Sequence, residues 1–435
     1  MTHEHKWLRL DNSAKIFPLI MYKDNQNLFR ISIELKEDII KEHLQKALDF
    51  TLPRFPSLKV KLMKGLFWYY FEENNLPCIV YEESDIIMKK ITPYNCNGYC
   101  FRITYYNNRI TCEFYHVLCD GQGAIQFLKS LLYSYLSLCG KKVDAENDIL
   151  TLMTPISPRE VEDSFIKNYK KTKLKDTNFK NLTGKSLAFN IEGTAFNQGG
   201  KGVISCDLSA KKLHSYCKER GYTITEFLGG LFMYSIYKTK AIHSQKRDDI
   251  ILFIPINLRK IYNSITLRNF TLFSRVGADI SNDNLELNYF IKIMQENLKT
   301  ATKKELLDTK INAAVLAEKI WVMRILPLFI KKSIFHLTNF LGRKKPTKTA
   351  TFSNIGIVNL PKDMAQYVDK FSFMLHTYST IPEALTTITV NDTMTISFCR
   401  SIMDNEIEKF FMRYLASIDM DLVVSSNYWE VENAL

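Results

Sequence analysis

Apolar and polar residues alternate along several short stretches of this 435-residue chain, and elsewhere apolar positions recur at helical spacing. Alternation predicts half-buried strands, whereas spacing of three and four residues predicts helices that bury one face. Strands and helices are mixed in both halves, which predicts an α/β protein with mixed sheets. The predicted strands are residues 29–35, 58–62, 67–71, 100–105, 109–115, 202–208, 250–255, 349–358 and 371–376, with a hairpin over 385–399. The predicted helices are 38–52 (with Asp38 near its start), 124–136, one from Ser209, one from Thr223, 285–301, 312–339 (broken near Pro327) and 406–418, and residues 7–20 are expected to be mostly extended.

The stretch over residues 109–136 carries the most informative pattern. Its strand ends at His116, its helix begins near Ala124, and the turn between them contains Asp120 and Gly121. A strand end holds a side chain rigidly, and a titratable imidazole there is a candidate for proton transfer. The alternative is an ordinary turn histidine, with Asp120 serving only to cap the helix.

The hexapeptide HVLCDG (116–121) at a strand end resembles the His-x-x-x-Asp-Gly motif of the acyl-CoA-dependent acyltransferase superfamily, which includes chloramphenicol acetyltransferase, alcohol acetyltransferases and the condensation domains of peptide synthetases. Three more stretches agree with it in order and spacing. LDNSAKIFP (10–18) is similar to the opening of the bacterial alcohol acetyltransferase-like branch. PINLR (255–259), followed by Asn269-Phe270, and SNIG (353–356) resemble a middle and a late motif of the superfamily.

The resemblance implies two chloramphenicol-acetyltransferase-like lobes, each a mixed sheet flanked by helices. A channel runs between them, with the catalytic histidine at its middle. We expect an N-terminal lobe over residues 1–170 and a C-terminal lobe over 201–435. Prolines, a mixed-charge run and glycines place the linker at 171–200.

Acyl transfer needs a base that takes the acceptor's proton, and a neutral imidazole suits that task. We therefore expect His116 to be the general base. A covalent acyl-enzyme is not expected, because no activated Ser or Cys lies beside His116, and Cys119 is better explained as a small buried side chain. In the superfamily the matching aspartate pairs with an arginine, so Asp120 is expected to pair with Arg259 and hold the turn. Direct contact between Asp120 and His116 is the alternative, and Gly121 is expected to allow close backbone packing.

The resemblance also implies a binding role for the late motif. Ser353, Asn354 and Gly356 match a segment near the channel, where they would face the oxyanion or the pantetheine arm of coenzyme A. A simple strand-end turn is the alternative. The chain has Ser-Asn-Ile-Gly where plant members have Asp-Phe-Gly-Trp-Gly, which leaves oxyanion stabilisation open. The nearby basic residues Lys344 and Lys345, with Arg343 and Lys348, are candidates for the phosphates of coenzyme A or else form a solvated charge run.

Amino-acid composition limits the kinds of binding partner and cofactor that the chain is expected to have. Lys and Arg number 58 against 46 Asp and Glu, a net charge of +12 that favours anionic partners, but no nucleic-acid motif accompanies it. The nine cysteines occur singly, and no two are separated by the two-residue gap of a metal knuckle or redox motif, so neither a metal nor a disulfide is expected. No apolar run is long enough to span a membrane. Residues 321–337 are the most apolar stretch; core packing or a domain contact is one explanation, a membrane-surface helix or a substrate wall the other.

Taken together, the sequence predicts a cytoplasmic, monomeric enzyme that transfers an acyl group, expected to be acetyl, from coenzyme A to a hydroxyl or amine acceptor. Acyl-coenzyme A is a co-substrate here, and no permanently bound cofactor is expected. Tyr115 stands where condensation domains usually carry a second histidine, which favours coenzyme A as the donor. A condensation-type protein with carrier-bound donors and a degenerate member that only binds a ligand are the alternatives.

Overall fold

A computed structural model describes residues 7–21, 26–145, 149–171, 187–197, 200–342, 347–378 and 380–427. These described residues build three sheets, and the two larger ones contain both parallel and antiparallel pairs. The predicted α/β class with mixed sheets is therefore confirmed. Within the described ranges, no helix combines the length and apolar character that crossing a bilayer requires.

The first large sheet presents His116. Its strands lie in the order Val368–Leu375, Leu28–Leu35, Arg109–Tyr115, Phe101–Tyr106 and Val80–Glu82. Only the last pair is parallel. Helices Lys41–Thr51 and Gly121–Leu138 pack against each other and bury their leucines in the core of this sheet.

The second large sheet has seven strands. They lie in the order Thr271–Ala278, Ile250–Asn257, Ala350–Val358, Glu383–Val390, Thr393–Arg400, Gly202–Ser209 and Val423–Ser426. Strand Ala350–Val358 is parallel to both of its neighbours, and the other pairs are antiparallel. The longer helices of this half are Ala210–Glu219, Ile224–Thr239, Leu287–Ala301, Lys304–Lys319 and Glu406–Ser417.

Shorter elements complete the described chain. The third sheet contains Trp7–Arg9, Tyr69–Glu73 and Val60–Lys64. The remaining α-helices are Phe17–Ile20, Ser164–Lys167, Arg259–Tyr262, Trp321–Ile325, Leu328–Gly342 and Lys362–Ala365, and 3-10 turns cover Ala14–Ile16, Leu52–Arg54, Pro158–Glu160 and Ala241–His243.

Some predicted boundaries differ from the structure for local reasons. The N-terminal segment is helical after Ser13 rather than extended, because the Asp11 carboxylate accepts a hydrogen bond from the Ala14 N–H and turns the chain. The helix expected near Asp38 begins at Lys41 without a side-chain cap. The helical stretch expected over 312–339 is indeed broken near Pro327, but it starts earlier, at Lys304, and has a second break at Ile320, so that it forms three helices.

The two halves of the chain interlock. Strand Val368–Leu375 belongs to the later half but pairs antiparallel with Leu28–Leu35 at the edge of the first sheet. The expected linker at 171–200 lies mostly outside the described residues, which omit 172–186 and 198–199. The division into lobes at 1–170 and 201–435 therefore stays a prediction.

Candidate active site

His116 follows the last residue of strand Arg109–Tyr115 and is held by backbone hydrogen bonds. Its N–H donates to the carbonyl of Asn27 (3.1 Å), and the N–H of Leu118 donates to the carbonyl of Tyr115 (3.0 Å), which closes the turn. The helix Gly121–Leu138 begins five residues after His116, with Asp120 as its N-cap. The strand, turn and helix therefore fix where the imidazole projects.

The His116 ring is packed between aromatic side chains but remains half-buried rather than enclosed. Phe17 stacks on it with ring centroids 4.8 Å apart, and Phe29 meets it edge-on at 5.1 Å. Burial lowers the pKa of His116 from its ordinary value, and this effect outweighs the charge of Asp120 and a hydrogen bond to Asn269, which act in the opposite direction. The imidazole is therefore neutral at neutral pH, the form that can accept a proton.

Asn269 determines which ring nitrogen is free. Its Oδ1 lies 2.9 Å from His116 Nδ1, and its Nδ2 donates to Asp11 Oδ2 at 3.2 Å. Burial raises the pKa of Asp11 from its ordinary value, although the Arg268 charge and the hydrogen bonds to the carboxylate act in the opposite direction. Because the Asn269 NH2 donates to this carboxylate, the amide oxygen faces the ring. Nδ1 then carries the ring proton, and Nε2, which has no hydrogen-bond partner among the described residues, keeps its lone pair. Asp11 is itself fully buried beside Arg268, with a 3.6 Å ion pair.

Asp120 is directed away from His116 and towards the later half of the chain. Arg259 makes a bidentate pair with it, with both nitrogen–oxygen distances at 2.8 Å. Further donors to the carboxylate are the N–H groups of Gly123 and Phe270 and the hydroxyl of Thr271. Burial alone would raise the pKa of Asp120, but Arg259 and these donors hold it below its ordinary value. None of the hydrogen bonds among the described residues joins Asp120 to His116. The hydrogen bonds of Asp120 instead hold the turn, the helix start and the later half of the chain together.

Two glycines at the start of the helix meet different neighbours. A Cβ at Gly121 would lie 3.0 Å from the flexible end of Ile355, and the Nε2 of Gln122 donates to the Ile355 carbonyl (3.2 Å). A Cβ at Gly123 would lie only 2.0 Å from the backbone oxygen of Leu267. Of these two glycines, Gly123 therefore makes the closer backbone approach, and no role was predicted for it from the sequence.

Ser353, Asn354 and Gly356 lie at a bulge in strand Ala350–Val358, immediately beside that helix start. The Asn354 amide is already engaged, because its Nδ2 donates to Thr225 Oγ1 and its Oδ1 accepts from the Gly356 N–H, each at 2.9 Å. Gly356 has φ +87°, a conformation that favours glycine. Ser353 is buried. Asn354 therefore shapes the bulge, with one amide N–H and one lone pair of its oxygen engaged in these bonds.

The basic segment near the late motif is only partly described. Arg343, Lys344 and Lys345 lie outside the described residues. Lys348 is described, and its ammonium lies 4.4 Å from the ring centroid of Phe253. Burial lowers the pKa of Lys348 to about 8.

The Cys119 thiol in the key turn is fully buried, and burial holds its pKa well above the ordinary value. A thiol in that environment stays protonated and is a poor nucleophile. Among the residues that the structure describes, no cluster of three potential metal ligands occurs. His116 rather than Cys119 is therefore the candidate reactive group of this turn.

Solved structures share this architecture, although no family model and no curated protein sequence matches the chain. Trichothecene 15-O-acetyltransferase TRI3 from Fusarium sporotrichioides is 11% identical, with a TM-score of 0.58 over 100% of this chain and 96% of that one. TRI101 from F. sporotrichioides, in complex with coenzyme A and T-2, is 10% identical, with a TM-score of 0.59 over 97% and 100%. The first condensation domain of the CDA synthetase is 10% identical, with a TM-score of 0.60 over 97% and 100%.

The chain thus has the two-lobed, chloramphenicol-acetyltransferase-like fold that acetyltransferases and condensation domains share, as the sequence motifs predicted. A likeness at these identities establishes the fold. The chemistry has to be argued from the site.

Proposed function

We propose that this chain is an acyltransferase that moves an acyl group from acyl-coenzyme A to a hydroxyl or amine acceptor. The observation that carries the proposal is the His116 imidazole, neutral and held by Asn269 through Nδ1, with Nε2 unpartnered and half-buried at the end of a strand. This is the state that a general base needs before the acceptor arrives.

The reaction follows from that geometry. Nε2 takes the proton of the acceptor hydroxyl as the acceptor oxygen bonds to the thioester carbonyl carbon. The tetrahedral intermediate collapses by breaking the carbon–sulfur bond, and the imidazolium returns its proton to the leaving thiolate. No covalent acyl-enzyme forms, and His116 ends in its starting state. Asp120 and Arg259 take no part in proton transfer. Their ion pair holds the turn that carries His116 against the loop that carries Asn269.

Coenzyme A is proposed as the donor carrier because similar structures were solved with it. TRI101 was crystallised with coenzyme A and T-2, and a mutant starter condensation domain of rhizomide synthetase RzmA with C8-CoA and Leu-SNAC. For this chain we propose that Ser353 and Gly356, at the bulge beside the helix start, face the pantetheine arm, with Asn354 holding the bulge in shape. We also propose that Lys344 and Lys345 face the phosphates. An acetyl group, a monomeric state and a cytoplasmic location stay predictions.

The decisive experiment measures thiol release with a thiol-reactive dye. The purified protein is incubated with acetyl-CoA or octanoyl-CoA and a panel of alcohols and amines. His116→Ala should abolish acceptor-dependent release, by roughly 100-fold or more for the loss of a general base. His214→Ala, on the exposed face of helix Ala210–Glu219, is the matched control and should leave the rate unchanged. Undiminished release by His116→Ala would overturn the proposed role.

The donor is tested separately by comparing acetyl-CoA with the N-acetylcysteamine thioester, which lacks the phosphates. Lys344→Ala and Lys345→Ala should raise KM for acetyl-CoA without affecting the smaller thioester. An equal effect on both donors would remove these lysines from phosphate binding. Turnover with a carrier-bound thioester and none with either small donor would instead favour the condensation-type alternative.

A further inference from the structure

An exposed apolar surface covers two helices of the later half. In Trp321–Ile325 and Leu328–Gly342, Trp321 is 69% exposed and Phe329 63%, although large apolar side chains are normally buried. Among the side chains that the structure describes on these two helices, Val322, Ile325, Ile334 and Leu337 are also exposed. Core packing, the first explanation for this stretch, does not apply to these side chains.

The β-hairpin tip next to these helices extends the same surface. Leu66 and Phe67 at the tip are exposed, and the carbonyl of Leu66 accepts from the Leu328 N–H (2.8 Å). The carbonyl of Phe67 accepts from Lys331 Nζ (2.7 Å). Exposed Trp7 and Phe67 both line a groove of about 680 Å³ that also reaches Arg324. These exposed side chains of the hairpin, of Trp7 and of the two helices are called the apolar face below.

The described residues of the apolar face carry more cations than free carboxylates. Residues 319–337 contain four basic residues, Lys319, Arg324, Lys331 and Lys332, and no acidic one. Lys319 and Arg324 are exposed and Lys332 is half-buried, whereas the buried Lys331 ammonium donates to the Phe67 carbonyl. Two carboxylates line the groove, but each is neutralised by a lysine: Glu318 by Lys15 (2.6 Å) and Glu72 by Lys61 (2.9 Å). The field over the apolar face is therefore positive.

We propose that the apolar face docks on the surface of a bilayer that contains anionic lipids. Exposed Trp, Phe, Ile and Leu side chains insert at the depth of the headgroups, while the basic residues bind phosphates around them. A second copy of the chain is a poorer occupant, because a symmetric contact through this face would bring two positive surfaces together. Docking does not depend on the acyl-transfer chemistry.

The position of the apolar face suggests what docking achieves. Helix Phe17–Ile20 packs against helix Leu328–Gly342, and Phe17 on that short helix stacks on the His116 ring. One short helix therefore separates the docked surface from the candidate base. Docking would therefore bring the candidate base close to the bilayer surface.

Vesicle binding tests the proposal directly. The full chain is mixed with vesicles of phosphatidylcholine alone or of phosphatidylcholine with phosphatidylglycerol, and binding is followed by flotation and tryptophan fluorescence. We expect flotation with phosphatidylglycerol vesicles, weakened by salt, and a blue shift of the fluorescence. Trp321→Phe should float normally but lose part of the blue shift, which locates the contact at this residue.

Matched variants separate docking from nonspecific attraction. Phe329→Glu should weaken vesicle binding roughly tenfold or more, since an apolar side chain that would enter the bilayer surface is replaced by a charge. Arg324→Glu changes two charge units and should weaken it roughly 30-fold. Met153→Glu, at a site 91% exposed and outside the apolar face, is the control for Phe329→Glu. The proposal would be overturned if the chain did not float with the vesicles, or if all three variants lost binding equally. It would also be overturned if the chain bound no vesicles but dimerised with rising concentration, and Phe329→Glu abolished that dimerisation.

Discussion

Gly123→Ala should damage both stability and catalysis, although it adds a single methyl group in the first turn of a helix. The new Cβ would stand 2.0 Å from the carbonyl oxygen of Leu267 and 2.9 Å from its carbonyl carbon. A carbon and a carbonyl oxygen approach to about 3.3 Å without a clash, so one backbone has to retreat by about 1.3 Å. Changing the Leu267 side chain cannot relieve this contact, because the clash is with the backbone.

The magnitude follows from two opposed effects. Overpacking at a tight site costs about 3 kcal/mol, while alanine favours the helix over glycine by at most about 1 kcal/mol. The expected net loss is about 2 kcal/mol. The displaced backbone leads within two residues to Asn269, which holds the His116 ring. A shift of about 1 Å there should lower kcat by roughly 100-fold, since proton transfer depends on alignment.

Gly121→Ala is the control, since it makes the same chemical change two residues earlier. Its Cβ meets only the end of the Ile355 side chain at 3.0 Å, which moves easily. Urea denaturation should therefore show a lower midpoint for Gly123→Ala and an almost unchanged one for Gly121→Ala, and the thiol-release assay should rank them in the same order. Equal midpoints, or a larger loss for Gly121→Ala, would refute the account of this contact.

Three more predictions concern buried ionisable and polar groups. Since burial lowers the pKa of His116, kcat/KM should decline on acidification with a midpoint below 6.5, and a midpoint above that value would contradict a buried neutral base. Asn269→Leu should lower kcat roughly 100-fold, because it releases the His116 ring. In this variant 15N NMR of His116 should show that the ring proton has moved from Nδ1 to Nε2. An unchanged tautomer would exclude the positioning role of Asn269. Burial, together with the nearby Glu408 carboxylate, raises the pKa of Glu383 well above 4.5, so the folded state binds an extra proton and stability should decline as pH rises above that value. Glu383→Gln should flatten this dependence in urea titrations, and an unaltered slope would contradict it.

The sequence was sufficient to predict the strand, turn and helix around His116, because these depend on contacts within about thirty residues. Alternation ends where the strand ends, and helical spacing resumes after Gly121. Strand Thr271–Ala278 was missed, since its polar residues and Gly277 give only a weak strand signal. Its pairing with Ile250–Asn257 forms it instead.

Contacts between distant segments could not be predicted in this way. Nothing within residues 371–376 indicates that strand Val368–Leu375 pairs with Leu28–Leu35. The same holds for Phe17 stacking on His116, and for Asn269 joining that ring to Asp11. Both Asn269 and Asp11 lie in stretches that resemble the superfamily, so the resemblance marked them without giving them a role.

These distant contacts give the turn the rigidity that the proposed catalytic role of His116 requires. The strand alone fixes the position of the His116 backbone, but the ring's rotation and tautomer depend on Asn269, which comes from the other half of the chain. Asp120 and Arg259 tie that half to the turn through a buried bidentate pair, and Gly123 lets the two backbones meet. A substitution that separates the halves should therefore reduce catalysis before it unfolds either one, because the base loses its orientation when Asn269 moves away.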